Sequence, residues 1–271
     1  MSGACFLIDQ PLKGPHIYPM ENATSFGAQA EVYAKARPHY PSELFDWIAS
    51  QAPNREAVWD AGTGSGQAAI SLARRFTHVH ATDISQEQIE KAPRRANITY
   101  GVAQAHNSGL ADGSQDAITV ATALHWFDFE KFWAEVARVM RPGGLFCAFT
   151  YHKAYSDADT HRALIDPVLD VLSPYWSEGN RISWRGYRVE DVKIPFPLIK
   201  SPDFVCELDW TPAQIIDMMR SMSAHKKARL DGHETLLNAI EAKALKSLGE
   251  APRSYNLPIN MIAARINAEH A

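Results

Sequence analysis

No stretch of the 271 residues approaches the ~18 consecutive apolar residues of a membrane-spanning helix, so no membrane span is expected. The three cysteines, Cys5, Cys147 and Cys206, stand far apart and show neither metal-site spacing nor a disulfide framework. They read as reduced residues of a cytoplasmic protein, Cys147 in an apolar strand as plain core, and no metal site is expected. Basic residues never run longer than the pairs Arg74-Arg75, Arg94-Arg95 and Lys226-Lys227, and the formal net charge is −4. A nucleic-acid substrate normally meets a concentrated basic face, so none is expected here. Repeats and low-complexity tracts are absent, which removes solenoids and long linkers from consideration. A short apolar patch over residues 4–8 lacks a basic lead, so a cleaved secretory signal is not expected either.

What remains is an ordinary globular composition, 46% hydrophobic and 21% charged, in a chain long enough for one elaborated domain with a substantial core. A flexible lead over 1–22 is expected to precede a single domain over 23–271. A helix over 26–35 is broken by Arg37-Pro38-His39-Tyr40-Pro41, where proline removes a donor and restricts its predecessor. Ser42 is then placed to cap a helix over 43–51, with Leu44, Phe45 and Ile48 as its apolar stripe. From there strands alternate with helices. Strands are predicted over 56–59, 77–83, 98–103, 116–122 and 145–151, and helices over 66–76, from Ser85 to Pro93, and over 129–140. Ser85 with Gln88 forms a capping-box pattern, and Arg141-Pro142-Gly143-Gly144 stops the last of these helices. Residues 152–200 break the rhythm with a helix over 159–172 and a Trp/Tyr/Arg-rich stretch over 174–189, and read as an inserted substrate cap. A strand over 202–210 follows. Thr211, Pro212 and Gln214 then open another helix, a further helix covers 234–248, and a final strand covers 255–266. The fold class is therefore α/β: a Rossmann-like, mostly parallel sheet with helices on both faces, plus a cap.

The chain is organised around Val58-Trp59-Asp60-Ala61-Gly62-Thr63-Gly64-Ser65-Gly66, an apolar strand end, an acid, and three alternating glycines before a helix. Glycines let the backbone turn sharply and approach a ligand that a Cβ would block. The free N–H groups of the helix start face the same turn. Two ligands compete for it. A dinucleotide fingerprint wants G-x-G-x-x-G; here the third glycine comes one residue early, and Asp60 would face a pyrophosphate unfavourably. S-adenosylmethionine carries an amino group and a sulfonium, which nearby carboxylates favour. Asp83, 21 residues after Gly62, ends the next apolar run and is placed to accept both ribose hydroxyls.

With these residues the sequence resembles the class I S-adenosylmethionine-dependent methyltransferases, whose signature is the acid-x-Gly-x-Gly-x-Gly run. Within that class the ordered motifs Arg37-Pro38-x-Tyr40-Pro41, Gly62 to Gln67, Ala123-Leu124-His125-Trp126-Phe127-Asp128 and Arg141 to Gly144 resemble the small-molecule methyltransferases of the trans-aconitate methyltransferase type. Ser221-Met222-Ser223-Ala224 resembles a later segment of that group more weakly. The resemblance implies a seven-stranded sheet whose final strand is antiparallel. It implies cofactor contacts from Tyr33, Arg37, Asp60, Gly62, Gly64, Gly66, Asp83, Ile84, Ala105, His106 and Thr122. Tyr33 and Arg37 would close over the methionine end of S-adenosylmethionine, unless Arg37 only braces its turn. His106 stands where the family often has an acid, and reads equally as a surface histidine.

In an open parallel sheet the ligand lies off the carboxyl ends of the strands. That places His125, Trp126, Tyr151 and His152 on the acceptor side. Asp128 reads as a helix cap. His125 is the candidate catalytic residue, either accepting a proton from the acceptor or holding its carboxylate, against a plain packing role. Tyr151, His152, Trp176, Arg181, Trp184 and Arg185 suit an anionic or flat acceptor, or pack the cap. The Asn/Asp-Pro-Pro-aromatic motif of base- and glutamine-N-methyltransferases is missing after the fourth strand. The expected reaction is methyl transfer to an oxygen of a small organic acid or secondary metabolite, by a monomer or homodimer. N-methylation of a heterocycle, a nicotinamide-dependent oxidoreductase and a non-catalytic cofactor-binding protein are the alternatives.

Overall fold

The structure is a computed structural model and describes residues 38–266. The expected helix over 26–35, with Tyr33 and Arg37, lies outside the described residues. Helix α1 (Ser42–Gln51) leads into β1 (Ala57–Ala61), α2 (Gln67–Leu72), β2 (His78–Asp83), α3 (Gln86–Lys91) and β3 (Ile98–Val102). The chain then returns through β4 (Gln115–Ala121), α4 (Phe129–Val139) and β5 (Met140–Tyr151). These five strands pair in parallel in the order β3-β2-β1-β4-β5. The order reverses between β1 and β4, which opens a crevice at their carboxyl ends.

The last strand, β9 (Arg253–Arg265), runs antiparallel to β5, as the resemblance implied. Its other edge is taken by β8 (Phe204–Trp210) and by the two-residue β7 (Leu198–Ile199). A second two-residue strand, β6 (Tyr155–Ser156), pairs β9 beyond the end of β5. Seven full strands were expected; the two short additions make nine among the described residues.

Strand alternation divides the core between the two faces of the sheet. Val58 joins Leu44, Phe45, Ile48 and Leu72 on one face. Trp59 joins Ile118, Phe132, Trp133 and Phe146 on the other. Each fully buried side chain of this size contributes about 1.5–3 kcal/mol, and Trp59 also donates its indole N–H to Thr82 Oγ1 at 2.8 Å.

Helix ends follow the local chemistry. Ser85 Oγ accepts from Gln88 N, and Asp128 caps α4 by accepting from Lys131 N. Ser42 does not act as a cap: Pro41 holds that position, and Ser42 lies inside α1, where its hydroxyl accepts from Arg75 at 2.6 Å. Helix α2 stops at Leu72, earlier than the predicted end at 76. Asn97 Nδ2 there donates to the carbonyls of Ala73 and Phe76 and holds them in a turn.

Beyond β5, a helical stretch runs from α5 (Ala158–Thr160) through a π turn at His161–Ile165 to α6 (Asp166–Leu172). Helices α7 (Glu178–Arg185) and α8 (Val189–Val192) follow. After β8 come α9 (Pro212–Arg220), α10 (Ser223–Ala228) and α11 (Glu234–Leu248). Thr211 and Gln214 form the expected full capping box at α9. Helices α10 and α11 pack on the 158–172 stretch, so the helical layer over β5 and β9 is drawn from both sides of β8.

Candidate active site

The turn after β1 is a cradle with two different glycine requirements. Gly62 has φ +70°, and a Cβ there would meet Ala123 Cβ at 2.7 Å. Gly64, at φ +55°, would meet nothing within 4 Å, so the backbone there faces open space. Gly66 completes the turn as the residue before α2. Asp83, at the end of β2, ties the cradle down. Its Oδ2 accepts the Gly64 N–H at 2.8 Å and its Oδ1 accepts the Ser85 N–H at 2.9 Å. Burial raises the Asp83 carboxyl above its ordinary pKa, and these N–H bonds oppose the shift.

Asp60 is fully buried. Its Oδ2 accepts the Thr63 hydroxyl at 2.6 Å and its Oδ1 accepts the Thr119 hydroxyl at 2.9 Å. Thr119 is its register partner on β4, so strand pairing delivers that contact. Burial pushes the Asp60 carboxyl up to about 6, against the two hydroxyls. Ile84 continues from β2, and Ala105 and partly exposed His106 follow β3, so they lie at neighbouring strand ends. The loop carrying them is fixed by Glu135, whose Oε1 accepts both the backbone N–H and the hydroxyl of Ser108.

Thr122 stands at the carboxyl end of β4 with φ +52°, a conformation costly for a β-branched residue. Its N–H is held by the Phe149 carbonyl and its hydroxyl pairs with the Tyr40 hydroxyl at 2.8 Å. The Tyr40 ring stacks on Tyr151 at 4.9 Å. Next to it, the Pro38 carbonyl accepts both Gln67 Nε2 from the start of α2 and the Tyr151 hydroxyl. The Pro38–Tyr40 segment therefore bridges the cradle to the end of β5.

On the far side of Thr122 lies a cavity of about 970 Å³, open solvent at its mouth included. Its floor is Thr122, His125, Thr150 and Tyr151, with Tyr255 and Leu257 from β9. Its walls include Trp126, Trp176 and Trp184, Ile165 and Leu169, and the thioethers of Met218, Met219 and Met222; Asn180, Ser183, Ser223, His152 and Lys153 add polar groups. His125 is 3% exposed, and its Nδ1 is 3.0 Å from the hydroxyl of buried Tyr187.

Trp126, Tyr151, His152 and Trp184, expected on the acceptor side, all line this cavity with His125. Arg185 does not. Its guanidinium pairs with Asp191 at 3.2 Å, the two side chains being 5% and 9% exposed. Arg181 is likewise absent from the lining. Sequence reasoning missed Tyr187, Ser183 and the methionine wall; Thr150 belongs to the β5 end that strand topology placed at the site. The Ser221–Ala224 motif was a signal for part of it, since Met222 and Ser223 line the cavity.

Residues 59–148 match the family described as a methyltransferase domain. The chain is similar to a protein named as a methyltransferase in Dictyostelium discoideum, 37% identical over 134 residues, which are 49% of this chain and 51% of that one. It is similar over 49% of its length to a fatty-acid O-methyltransferase of Mycolicibacterium smegmatis, 33% identical over 141 residues and 52% of that protein. The chain thus spans about half the length of the curated relatives it matches. A solved structure assigned as a type II methyltransferase of Anaeromyxobacter dehalogenans is 35% identical, covers 85% of this chain and 98% of its own, and superposes with a TM-score of 0.79. With the acid-glycine cradle standing at the carboxyl end of β1 and a relative of this identity covered almost end to end, the chain belongs to the class I S-adenosylmethionine-dependent methyltransferases.

Proposed function

We propose that the protein transfers a methyl group from S-adenosylmethionine to an oxygen, carboxylate or hydroxyl, of a small and largely apolar organic acid or secondary metabolite. The observation that carries this reading is the cavity beside Thr122, apolar in its walls and hydroxyl- and imidazole-lined at its floor. Such a division suits an acceptor with a hydrophobic body and one polar reacting group. The named activity of the M. smegmatis relative, O-methylation of a fatty acid, supports the same class.

The cradle fits the cofactor. Open space at Gly64 leaves room for close approach to the backbone. The Asp83 oxygens accept the Gly64 and Ser85 N–H groups and keep acceptor capacity for a ribose hydroxyl. When bound, S-adenosylmethionine supplies an electrophilic methyl: an acceptor oxygen forms the new C–O bond as the C–S electron pair returns to sulfur. The protein's part is to orient the acceptor and exclude water, which can supply most of the rate for so reactive a donor. The apolar walls serve that exclusion, and the Thr122–Tyr40 and Tyr151–Pro38 bonds fix the boundary between the two ligands.

The test is incubation with methyl-labelled S-adenosylmethionine and a panel of carboxylic acids and phenols graded in apolar size. Label recovered as methyl ester or ether supports the reading. Tight cofactor binding with no transfer to any member, or to extracted metabolites, would leave a cofactor-binding protein without this activity.

A further inference from the structure

Helix α7 turns one face to the cavity. Asn180, Ser183 and Trp184 stand at positions i, i+3 and i+4 of that helix and all three line the cavity, whereas Arg181 and Arg185 do not. Ser183 pairs with Thr150 at 2.7 Å. Asn180 is held differently. Its Oδ1 accepts the Ser177 hydroxyl at 2.7 Å and the Ser223 hydroxyl at 3.3 Å. Ser177 caps α7 itself, and Ser223 opens α10, 43 residues further along the chain. The side chain therefore ties the inserted cap to α10, next to Met222 of the cavity wall.

These bonds also fix which end of the amide faces which way. Ser177 Oγ accepts the backbone N–H of Asn180 at 3.2 Å, as a helix cap does, so the proton of that hydroxyl is left to give. An amide oxygen accepts hydrogen bonds and an amide nitrogen only donates them. Oδ1 is therefore the atom turned to the two serines. What Asn180 has left for a ligand is Nδ2 with its two N–H donors, which makes no hydrogen bond among the described residues.

The surroundings select the charge of the partner. The indoles of Trp176 and Trp184 lie 5.1 Å apart in the same lining, and Met222 adjoins Ser223. Among the described residues no arginine lines the cavity, and its lysine, Lys153, is exposed. An anion set against this wall would lose its hydration without a countercharge, which costs far more than one amide bond returns. A carbonyl or ether oxygen loses only a hydrogen bond to water, and the amide restores it. We propose that Asn180 is a specificity-determining residue that donates from Nδ2 to a second, uncharged oxygen of the acceptor, apart from the oxygen that is methylated. This rests on reading the cavity as the acceptor site. The acceptor is then an oxygenated molecule, bearing a keto, ether or amide group in its body, and not a plain hydrocarbon with one polar end.

The experiment is calorimetric titration of the full chain, loaded with S-adenosylhomocysteine so that no methyl can move. The probes are decanoic acid and its oxo derivatives, each with one carbonyl, placed at successive carbons. The wild type should bind one derivative roughly fivefold more tightly than decanoic acid, as one added hydrogen bond gives. Asn180→Asp keeps an oxygen for Ser177 and Ser223 and puts an acceptor where the donor was, and Asn180→Leu removes the donor without adding charge. Both should level the series while affinity for S-adenosylhomocysteine stays unchanged. A wild-type series with no preferred position, or no binding of any member, would overturn the proposal, as would a preference that survives in either variant. A preferred derivative that is lost in the variants, yet is never methylated by the wild type with S-adenosylmethionine, would retain the assignment of Asn180 and remove the methyl-transfer reading.

Discussion

Replacing Asp60 with asparagine isolates the cost of burying a charge beneath the cradle. The carboxyl titrates at 3.8 when unhindered and at about 6 in the folded protein, because burial disfavours its ionised form. Its folded pKa lies above its unfolded one, so between these values the folded state binds more protons. The stabilisation from this group is fully present below pH ~4 and is lost as pH rises through about 6. The gap corresponds to about 3 kcal/mol, at 1.36 kcal/mol for each pH unit. Asparagine keeps the shape, and the Thr63 and Thr119 hydroxyls can rotate to donate to its oxygen and accept from its amide. Urea unfolding of both proteins from pH 4 to 7.5 is the assay. Wild-type stability should fall relative to the variant by about 2.5 kcal/mol across that window. Parallel pH profiles would refute the reasoning, since every other titrating group is shared and cancels in the difference.

Other perturbations address the remaining parts. Asp83→Ala removes the acceptor of the Gly64 and Ser85 N–H groups and the expected ribose contact, and calorimetry should find S-adenosylmethionine binding weaker by about 1.5–3 kcal/mol. Gly186→Ala brings a Cβ to 2.1 Å from Asn260 Nδ2 at φ +87°, and thermal unfolding should report a loss of about 1–3 kcal/mol. Trp184→Ala takes away the partner of the Trp176 ring, 5.1 Å distant, and should raise the acceptor KM roughly tenfold while leaving cofactor affinity unchanged in calorimetry.

The parts of the fold legible in the sequence were those written in local chemistry. The alternation that ends at Asp60 and Asp83, the Ser85 cap and the Thr211-Pro212-Gln214 capping box each depend on residues within a turn of one another, and each stands where it was read. Helix α11 stands over the residues at which it was read. Contacts across the chain left no such trace. Tyr187 was one aromatic residue in a Trp/Tyr/Arg-rich stretch, and nothing periodic linked it to His125. Arg185 was read as a candidate acceptor ligand from its residue type, and the ion pair it makes with Asp191, six residues on, had no signature in the sequence. Ser42 obeyed the preference for helix caps in type but was overruled by Arg75, which arrives from the end of α2 to claim its oxygen. The sequence therefore named the strand ends and left open which cap residues would meet them.

The three methionines on α9 and just beyond it have a consequence for how the protein could diverge. An unbranched thioether has several rotamers of similar energy and a polarisable sulfur, so a wall of Met218, Met219 and Met222 conforms to the outline set against it. In the same cavity, Thr150 is bonded to Ser183 and His125 to buried Tyr187. If this cavity holds the acceptor as proposed, discrimination would be strict at the reacting group and lenient along the hydrophobic body. Exchanging a methionine for leucine or phenylalanine would narrow the range of tails accepted without touching the cradle, and related chains could acquire different acceptors by drift along this one helix.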